Sequence, residues 1–284
     1  MTATIDSTTP AAPPIGRVQA RPAGFAVDVA SVARRAIRQI PREPEAVIPA
    51  LIVPIFFYVL NIGALSNITR AATHISFKAF ELPVAVVFAV TGVSRASALV
   101  TDIQNGYFDR LVITPVRRLP LLLGLMAADL TLVMALAVPV VIVGFALGVR
   151  FHAGLLGVVL FVVLSGAWGL VFTGLPYAIA LKTGNPGAVN ASFILFFPIT
   201  FLSTTFVQKS ELQGWLRVAA TYNPMTYILQ GLRSLIVGGG TVQGEPGPTW
   251  NATDLGEAVL AIAGFGVVSL SLALLALRGR VRRP

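Results

Sequence analysis

The chain has 284 residues, of which 55% are hydrophobic and only 12% are charged. Soluble domains carry about twice that share of charged residues, so the composition argues against a water-soluble fold. The chain has no cysteine, which excludes a disulfide framework and a Cys-ligated metal site, and its two histidines, His74 and His152, lie far apart in sequence.

The first residues predict a tail followed by a surface helix. Residues 1–24 are rich in Thr, Pro and Ala without apolar periodicity, which indicates a disordered tail. Residues 25–45 carry an apolar helical stripe with arginines on the other side, a pattern typical of an amphipathic helix lying in the membrane surface. The stripe consists of Phe25, Val29, Val32, Ala36 and Ile40. A solvated helix packed on a soluble core is the alternative.

Six apolar stretches follow, and each has close to the roughly 20 residues that a helix needs to cross a bilayer. We place them at Ala46–Leu65, Leu82–Val100, Leu121–Gly148, Gly154–Tyr177, Ala188–Val207 and Leu255–Leu277. The sequence therefore predicts an all-α integral membrane protein with a six-span region over residues 46–277 and a basic tail at residues 278–284. No internal repeat divides the helices into matching halves, which weighs against an inverted-repeat secondary transporter.

The basic residues predict the orientation, because short cytoplasmic connections are enriched in Lys and Arg. Six crossings put both termini on one side, and that side collects Arg17, Arg21, Arg34, Arg35, Arg38, Arg42, Arg110, Arg117, Arg118, Lys182, Arg278, Arg280, Arg282 and Arg283. The other side has Arg70, Lys78, Arg150, Lys209, Arg217 and Arg233. We therefore predict a protein of the cell membrane with cytoplasmic N- and C-termini.

A chain that hydrolyses ATP commonly has a phosphate-binding loop that ends in Gly-Lys-Ser/Thr. The two Lys-Ser/Thr pairs here, Lys182-Thr183 and Lys209-Ser210, follow Leu181 and Gln208 instead of glycine. If ATP hydrolysis drives this protein, the ATPase is a separate chain. We expect no cofactor on this one.

The longest connection predicted on the cytoplasmic side, residues 101–120, begins as a short helix with a charged and an apolar face. Asp102, Asp109 and Arg110 carry its charge, and Pro115 helps to turn the chain back toward the membrane. Such a helix can dock into a groove of a partner protein. A solvated helix that merely connects two spans is the alternative, and periodicity does not decide between them.

Three segments resemble the ABC-2 permease family, especially its daunorubicin-resistance type. The first lies in the connection just described and consists of Asp102, Gly106, Asp109, Arg110, Leu111, Thr114, Pro115 and Arg117. The second is the basic surface helix that precedes a Pro-containing first span. The third lies before the last span and consists of Asn223, Pro224, Met225, Thr226, Tyr227 and, after five residues, Arg233.

The resemblance covers nearly the whole chain and implies the permease subunit of an ATP-binding-cassette exporter of bacterial type. It implies a permease homodimer with two ATPase subunits that bind ATP and Mg²⁺, and a coupling helix within residues 101–113. The cargo would be a hydrophobic or amphipathic compound such as a drug or lipid; we expect contact with membrane lipid and none with nucleic acid. The alternatives are a secondary transporter, which would need several buried carboxylates, and a multi-span membrane enzyme, which would need a catalytic cluster.

The connection before the last predicted span, residues 208–253, contains a second amphipathic stripe. We expect residues 209–220 to form an interfacial or re-entrant helix on the external side, which Asn223-Pro224 ends. A surface loop with an amphipathic turn is the alternative.

Arg95 and Asp129 are the two charges that we place inside the hydrocarbon. They lie six residues before Thr101 and eight after Leu121, so both are roughly 9 to 12 Å from the same membrane face on adjacent antiparallel helices. This depth is compatible with a salt bridge. In the alternative, Arg95 extends to the interface, and Asp129 is neutral or bonded to a neighbouring hydroxyl.

Overall fold

The computed structural model describes residues 24–42, 44–72, 76–106, 118–207, 209–237 and 251–281. These residues form eleven α-helices: α1 (Phe25–Gln39), α2 (Pro44–Ala72), α3 (Phe77–Thr91), α4 (Ala96–Gln104), α5 (Arg118–Ala146), α6 (Gly154–Thr183), α7 (Pro186–Ser192), α8 (Phe196–Phe201), α9 (Gly214–Tyr222), α10 (Pro224–Val237) and α11 (Ala252–Val281). Single 3-10 turns occupy Ile40–Arg42, Phe193–Leu195 and Lys209–Glu211. The described part of the chain has no strand, so the all-helical class is confirmed there.

Five stretches within the described residues are long and apolar enough to cross a membrane: Val47–Leu65, Phe77–Gln104, Leu122–Ala146, Gly154–Thr183 and Ala252–Arg280. They match the first, second, third, fourth and sixth predicted spans. The fifth predicted span corresponds to the shorter apolar segment Pro186–Phe201, in which α7 and α8 are separated by a 3-10 turn. At 1.5 Å per residue, its sixteen residues reach only about 24 Å.

Contacts among the connections define two ends of the helix bundle. At the end that we call the Arg35 end, Arg35 contacts Asp102 and Gln104 donates to the carbonyl of Gly184 at 3.1 Å. At the opposite end, which we call the Lys78 end, the Lys78 Nζ donates to the carbonyl of Leu147 at 3.1 Å. The end of α11 contacts the end of α6, since Arg280 donates to Leu181. α1 and the C-terminal part of α11 therefore lie at the same end.

The stretch formed by α3 and α4 is the centre of the bundle. In the most apolar 18-residue stretch of this span, 67% of the residues are buried. The corresponding share is 11% in the span of α2 and 22% in the span of α11. Trp168 and Phe172 of α6 pack beside it in the larger of two apolar clusters. Because membrane lipid is itself apolar, the outer faces of α2 and α11 can remain apolar and exposed.

The smaller cluster lies at the Arg35 end and joins α1 to the bundle. It contains Ala36, Leu99, Leu122, Tyr177 and Leu277, among others. α1 approaches α5 closely at Gly124: a Cβ there would lie 2.6 Å from Cβ of Val32 and 3.0 Å from the carbonyl oxygen of Val29. Only glycine permits this distance, so Gly124 fixes the position at which α1 crosses α5.

Candidate functional site

The predicted coupling segment begins where α1 and α4 meet. One guanidinium nitrogen of Arg35 lies 3.2 Å from Oδ1 of Asp102, and both side chains are partly exposed, at 41% and 26%. Such an exposed ion pair contributes about 1 kcal/mol or less to stability. Its effect is therefore positional, because it links the basic N-terminal helix to the first residue of the predicted coupling motif.

α4 ends at Gln104, two residues after Asp102, and is followed by a turn that uses Gly106. The φ angle of Gly106 is +67°, in the left-handed region that favours glycine, and Gln104 bonds to Gly184 at the end of α6. The start of the coupling motif is thus attached to both α1 and α6. The remaining predicted coupling residues, Asp109, Arg110, Leu111, Thr114 and Pro115, lie outside the described residues, as does Arg117.

The predicted second span, Leu82–Val100, is not one continuous helix. α3 ends at Thr91 and α4 begins at Ala96, so residues 92–95 interrupt it. A break inside a membrane span leaves backbone amides that need acceptors. Asp129 of α5 supplies one, because its Oδ1 accepts the backbone amide of Arg95 at 2.9 Å. Ser94 supplies the next, because its hydroxyl accepts the amide of Ala96 at 3.1 Å.

The structure brings the predicted charge pair, Arg95 and Asp129, together, and both residues are buried. The hydrogen bond between them comes from the backbone of Arg95, whereas the Arg95 guanidinium donates to Gln39 of α1 at 3.0 Å. The Asp129 carboxylate also accepts from the hydroxyl of Ser94 at 3.4 Å. A direct ion pair between the two side chains stays a prediction, and the observed contact is that of a carboxylate capping a broken helix.

The four residues predicted as an external signature lie at the Lys78 end. Asn223 donates to the carbonyls of Ile199 and Leu202 at 2.6 and 2.9 Å, and its Oδ1 accepts the amide of Met225. It therefore satisfies the last carbonyls of α8 and the first amides of α10 together. Pro224 begins α10, where its missing amide costs nothing.

Tyr227 and Arg233 extend this set of contacts along α10. The Tyr227 hydroxyl donates to the carbonyl of Thr221 at 2.6 Å. The guanidinium of Arg233 donates to the carbonyls of Phe80 and Thr205 and to the hydroxyl of Thr204, at 3.1 to 3.3 Å. It also lies 3.5 Å from the centre of the Phe80 ring. Arg233 thus joins α3, α10 and the turn after α8.

Glu81 is a buried charge that our sequence analysis missed. The predicted second span starts at Leu82, but α3 starts at Phe77, so Glu81 lies within a candidate membrane span and is only 2% exposed. Glu81 is thus a further buried charge beside Arg95 and Asp129, whose position inside the hydrocarbon stays a prediction. Oε1 of Glu81 accepts from Asn61 of α2 at 2.8 Å. The apolar run of Phe77, Ala79 and Phe80 was the signal for an earlier start.

The connection before the last span also differs from expectation. The predicted helix over residues 209–220 appears as a 3-10 turn followed by α9, and Asn223 does end it. A second helix, α10, follows at once and buries Met225, Ile228 and Leu232 in the larger apolar cluster. α10 is therefore part of the core and not a surface connection.

A helical bundle with five candidate membrane spans, a docked basic N-terminal helix and a buried helix before the last span defines a multi-pass membrane protein. The sequence profile of ABC-2 type transporters matches residues 28–237, and the chain belongs to that family. It is similar to the daunorubicin resistance ABC transporter permease protein DrrB1 of Streptomyces coeruleorubidus, at 29% identity over 83% of this chain and 86% of that one. It is also similar to the probable doxorubicin resistance ABC transporter permease protein DrrC of Mycobacterium tuberculosis, at 25% identity over 70% of this chain and 72% of that one.

Proposed function

We propose that this chain is the permease subunit of an ABC exporter that moves a hydrophobic or amphipathic compound out of the cytoplasm. The family implies an ABC ATPase partner. The sequence agrees, because neither of its Lys-Ser/Thr pairs follows a glycine as a phosphate-binding loop of the usual kind requires. ATP and Mg²⁺ then bind to the partner and this chain carries no cofactor.

The observation that supports this proposal best is the junction of α1, α4 and α6 at the Arg35 end. Asp102, the first residue of the predicted coupling motif, is held by Arg35, and Gln104 is held by Gly184. A force applied to residues 101–120 by an ATPase would therefore reach three helices of the bundle at once. A connection that merely joined two spans would not need these attachments.

The proposed topology has six crossings with both termini in the cytoplasm. Its support is the course of the chain between α6 and α11. α6 ends at the Arg35 end, where Arg280 contacts Leu181. α11 begins beside α10, since Asp254 accepts from Gln230, and α10 contacts the Lys78 end through His152 and Ile236. The segment Pro186–Phe201 is the apolar stretch available to make that crossing.

We further propose that two permease copies assemble with two ATPase subunits, as the family resemblance implies. The names of the relatives refer to daunorubicin and doxorubicin resistance, and an anthracycline is therefore the first cargo to test. The sequence contains no feature that selects one apolar cargo, so a lipid or another amphipathic metabolite belongs in the same assay.

The coupling proposal is tested by co-expressing the chain with its ABC ATPase partner. The variant with both Asp109→Ala and Arg110→Ala should still insert and fold, because we expect both residues to lie in a cytoplasmic connection, and exposed ion pairs contribute about 1 kcal/mol or less to stability. It should nevertheless co-purify less ATPase and lose daunorubicin transport in proteoliposomes. The matched control replaces two exposed arginines near the Lys78 end, Arg150 and Arg217, with alanine. Normal transport by the Asp109 and Arg110 variant would contradict the coupling role.

A further inference from the structure

A groove with a volume of about 910 Å³ lies between α6 and α11 at the Arg35 end. Its long walls are apolar and include Leu175 and Ile179 of α6 and Leu272 and Leu275 of α11. Leu195, from the turn between α7 and α8, closes a third side. Leu275 is 62% exposed and Leu195 is 50% exposed, so the groove opens on the outer surface of the bundle, where lipid chains surround a membrane protein.

One end of this groove is cationic. Lys182 and Arg280 line it there, and the lining residues include no Asp or Glu. Arg280 donates from Nη1 to the carbonyl of Leu181 at 3.2 Å, which holds its guanidinium across the last turn of α6. Lys182 is exposed beside it. Two positive charges at the mouth of an apolar groove are complementary to a ligand with an anionic head and an apolar tail.

Gly279 keeps the mouth of the groove open. It lines the groove, and a Cβ at this position would meet no atom within 4 Å. From Leu175 to Lys182 the wall runs seven residues, or about 10 Å along the helix, which is a third of a typical hydrocarbon core. The charges therefore lie near one membrane surface while the apolar walls extend inward, which is the arrangement that phospholipids have in a bilayer.

We propose that this groove binds an anionic phospholipid. Its phosphate would contact Lys182 and Arg280, and one acyl chain would lie along the leucine side chains of α6 and α11. Basic pockets between membrane helices are suited to acidic lipid head groups, and each nearby cation strengthens binding to an anionic lipid. The occupied groove would join the ends of α6 and α11, which the hydrogen bond from Arg280 to Leu181 also links.

Native mass spectrometry of the purified full-length permease tests this proposal. The protein is titrated with phosphatidylglycerol, and in parallel with phosphatidylcholine of the same acyl chains. We expect the wild type to retain phosphatidylglycerol more tightly than phosphatidylcholine. Lys182→Gln and Arg280→Gln should each lower the affinity of the permease for phosphatidylglycerol about fivefold, since each cation near the membrane surface strengthens binding of an anionic lipid by about that factor. Equal retention of the two lipids by the wild type would overturn the proposal.

A second variant separates the groove from the charges. Gly279→Leu fills the mouth while both cations remain, and it should lower phosphatidylglycerol retention without unfolding the protein. The matched control, Gly264→Leu, lies on the same helix outside the groove, and its Cβ also meets no atom within 4 Å. Unchanged retention in Gly279→Leu would refute the groove as the binding site. A change in the permease dimer fraction, with lipid retention unaltered, would show that a second copy occupies the groove and would also refute the proposal.

Discussion

At the scale of single residues, the polar side chains buried in this bundle satisfy backbone groups that irregular segments leave open. Asp129 accepts an amide at the break between α3 and α4, and Asn223 joins the end of α8 to the start of α10. Arg233 donates to the carbonyl of Phe80 in α3 and to that of Thr205 in the turn after α8. Membrane interiors contain little water to satisfy such groups, so each of these side chains should be costly to remove.

The variant Arg233→Ala tests this cost at the Lys78 end. It removes three hydrogen bonds and the contact with Phe80, and it removes a positive charge that interacts electrostatically with the buried Glu81. We expect a loss of about 3 kcal/mol or more, seen as a lower yield of folded protein and a lower unfolding temperature in size-exclusion chromatography. Arg217→Ala, on the exposed face of α9, is the control and should leave both quantities unchanged. Equal behaviour of the two variants would contradict a structural role for Arg233.

A pair of substitutions at Asp129 separates helix capping from charge pairing. Asp129→Asn keeps an oxygen that can accept the amide of Arg95, and it should retain most of the folded protein. Asp129→Ala leaves that buried amide without its acceptor, which costs about 1 to 3 kcal/mol. Thr131→Ala, two residues away on the exposed side of α5, is the control. The measurement is again the unfolding temperature in detergent.

The predicted ion pair is tested by a double variant that exchanges the two charges, with Arg95→Asp and Asp129→Arg in the same protein. If the double variant loses less folded protein than the two single charge reversals lose together, the result would support direct pairing of the side chains. Since arginine cannot accept the backbone amide at residue 95, capping predicts little recovery. An exchange variant as stable as the wild type would contradict the capping role of Asp129.

At the scale of elements, α1 is fixed to the bundle by shape more than by charge. Gly124 allows α1 to approach α5, and Ala33 and Ala36 are buried in the contact. The Arg35–Asp102 ion pair is exposed and contributes little to stability by comparison. α1 is thus positioned by close packing, and its arginines remain available on the opposite face, where Arg34 and Arg38 are exposed.

Gly124→Leu should therefore detach α1 while the rest of the bundle stays folded. A side chain at this position overlaps Val32 at 2.6 Å. Because the chain has no cysteine, a single Ala36→Cys substitution reports the contact: Ala36 is 2% exposed, and its thiol should react slowly with a maleimide until Gly124 is replaced. Gly63→Leu in α2, where a Cβ meets no atom, is the control. Slow labelling in the presence of Gly124→Leu would contradict the packing role of Gly124.

The elements that could be predicted from the sequence are those with long apolar runs or strong periodicity. Four helices lie close to their predicted positions, namely α2, α5, α6 and α11. An apolar run of about 20 residues is long enough to cross the bilayer as a helix, so the sequence alone locates them. The break at residues 92–95 could not be predicted, because it depends on an acceptor, Asp129, that comes from another helix. α10 was missed for a similar reason, since its fourteen residues become part of the core only through packing on α3, α6 and α11.

The candidate site was predicted in part. The motif that begins at Asp102 was predicted by resemblance to the family, but its attachment to Arg35 and to α6 is a tertiary contact that leaves no local pattern. The signature of Asn223 and Arg233 was found by resemblance. In the structure, both side chains donate hydrogen bonds to backbone carbonyls of neighbouring helices. Glu81 was missed because Lys78, about one turn before Leu82, indicated a solvated connection.

At the scale of the whole molecule, the two ends of the bundle differ in what they connect. The Arg35 end gathers α1, the start of the coupling motif and the C-terminal part of α11. The Lys78 end gathers α9 and α10, and α10 packs on α3 and α6. An exporter needs such a division, because one end must respond to an ATPase while the other must release cargo.

The orientation of this division is tested with single cysteines in the cysteine-free chain. We expect cysteines at Gln104 and Val281 to be shielded from a membrane-impermeant maleimide in intact cells, and one at Gln243 to react. Permeabilised cells provide the control, since all three positions should then label. Labelling of Gln104 from outside intact cells would reverse the topology and remove the proposed coupling segment from the side of the ATPase.

The close contact of α1 with α5 also sets an order of events during synthesis. About 100 residues separate the end of α1 from the end of α5, and a ribosome needs roughly 5 to 20 s to add them. Until α5 is made, Ala33 and Ala36 lack the helix that approaches α1 most closely, although α2, α3 and α4 have already been made. α1 thus leaves the ribosome well before the helix on which it packs, and until then its apolar face must be covered by the lipid surface or by a chaperone.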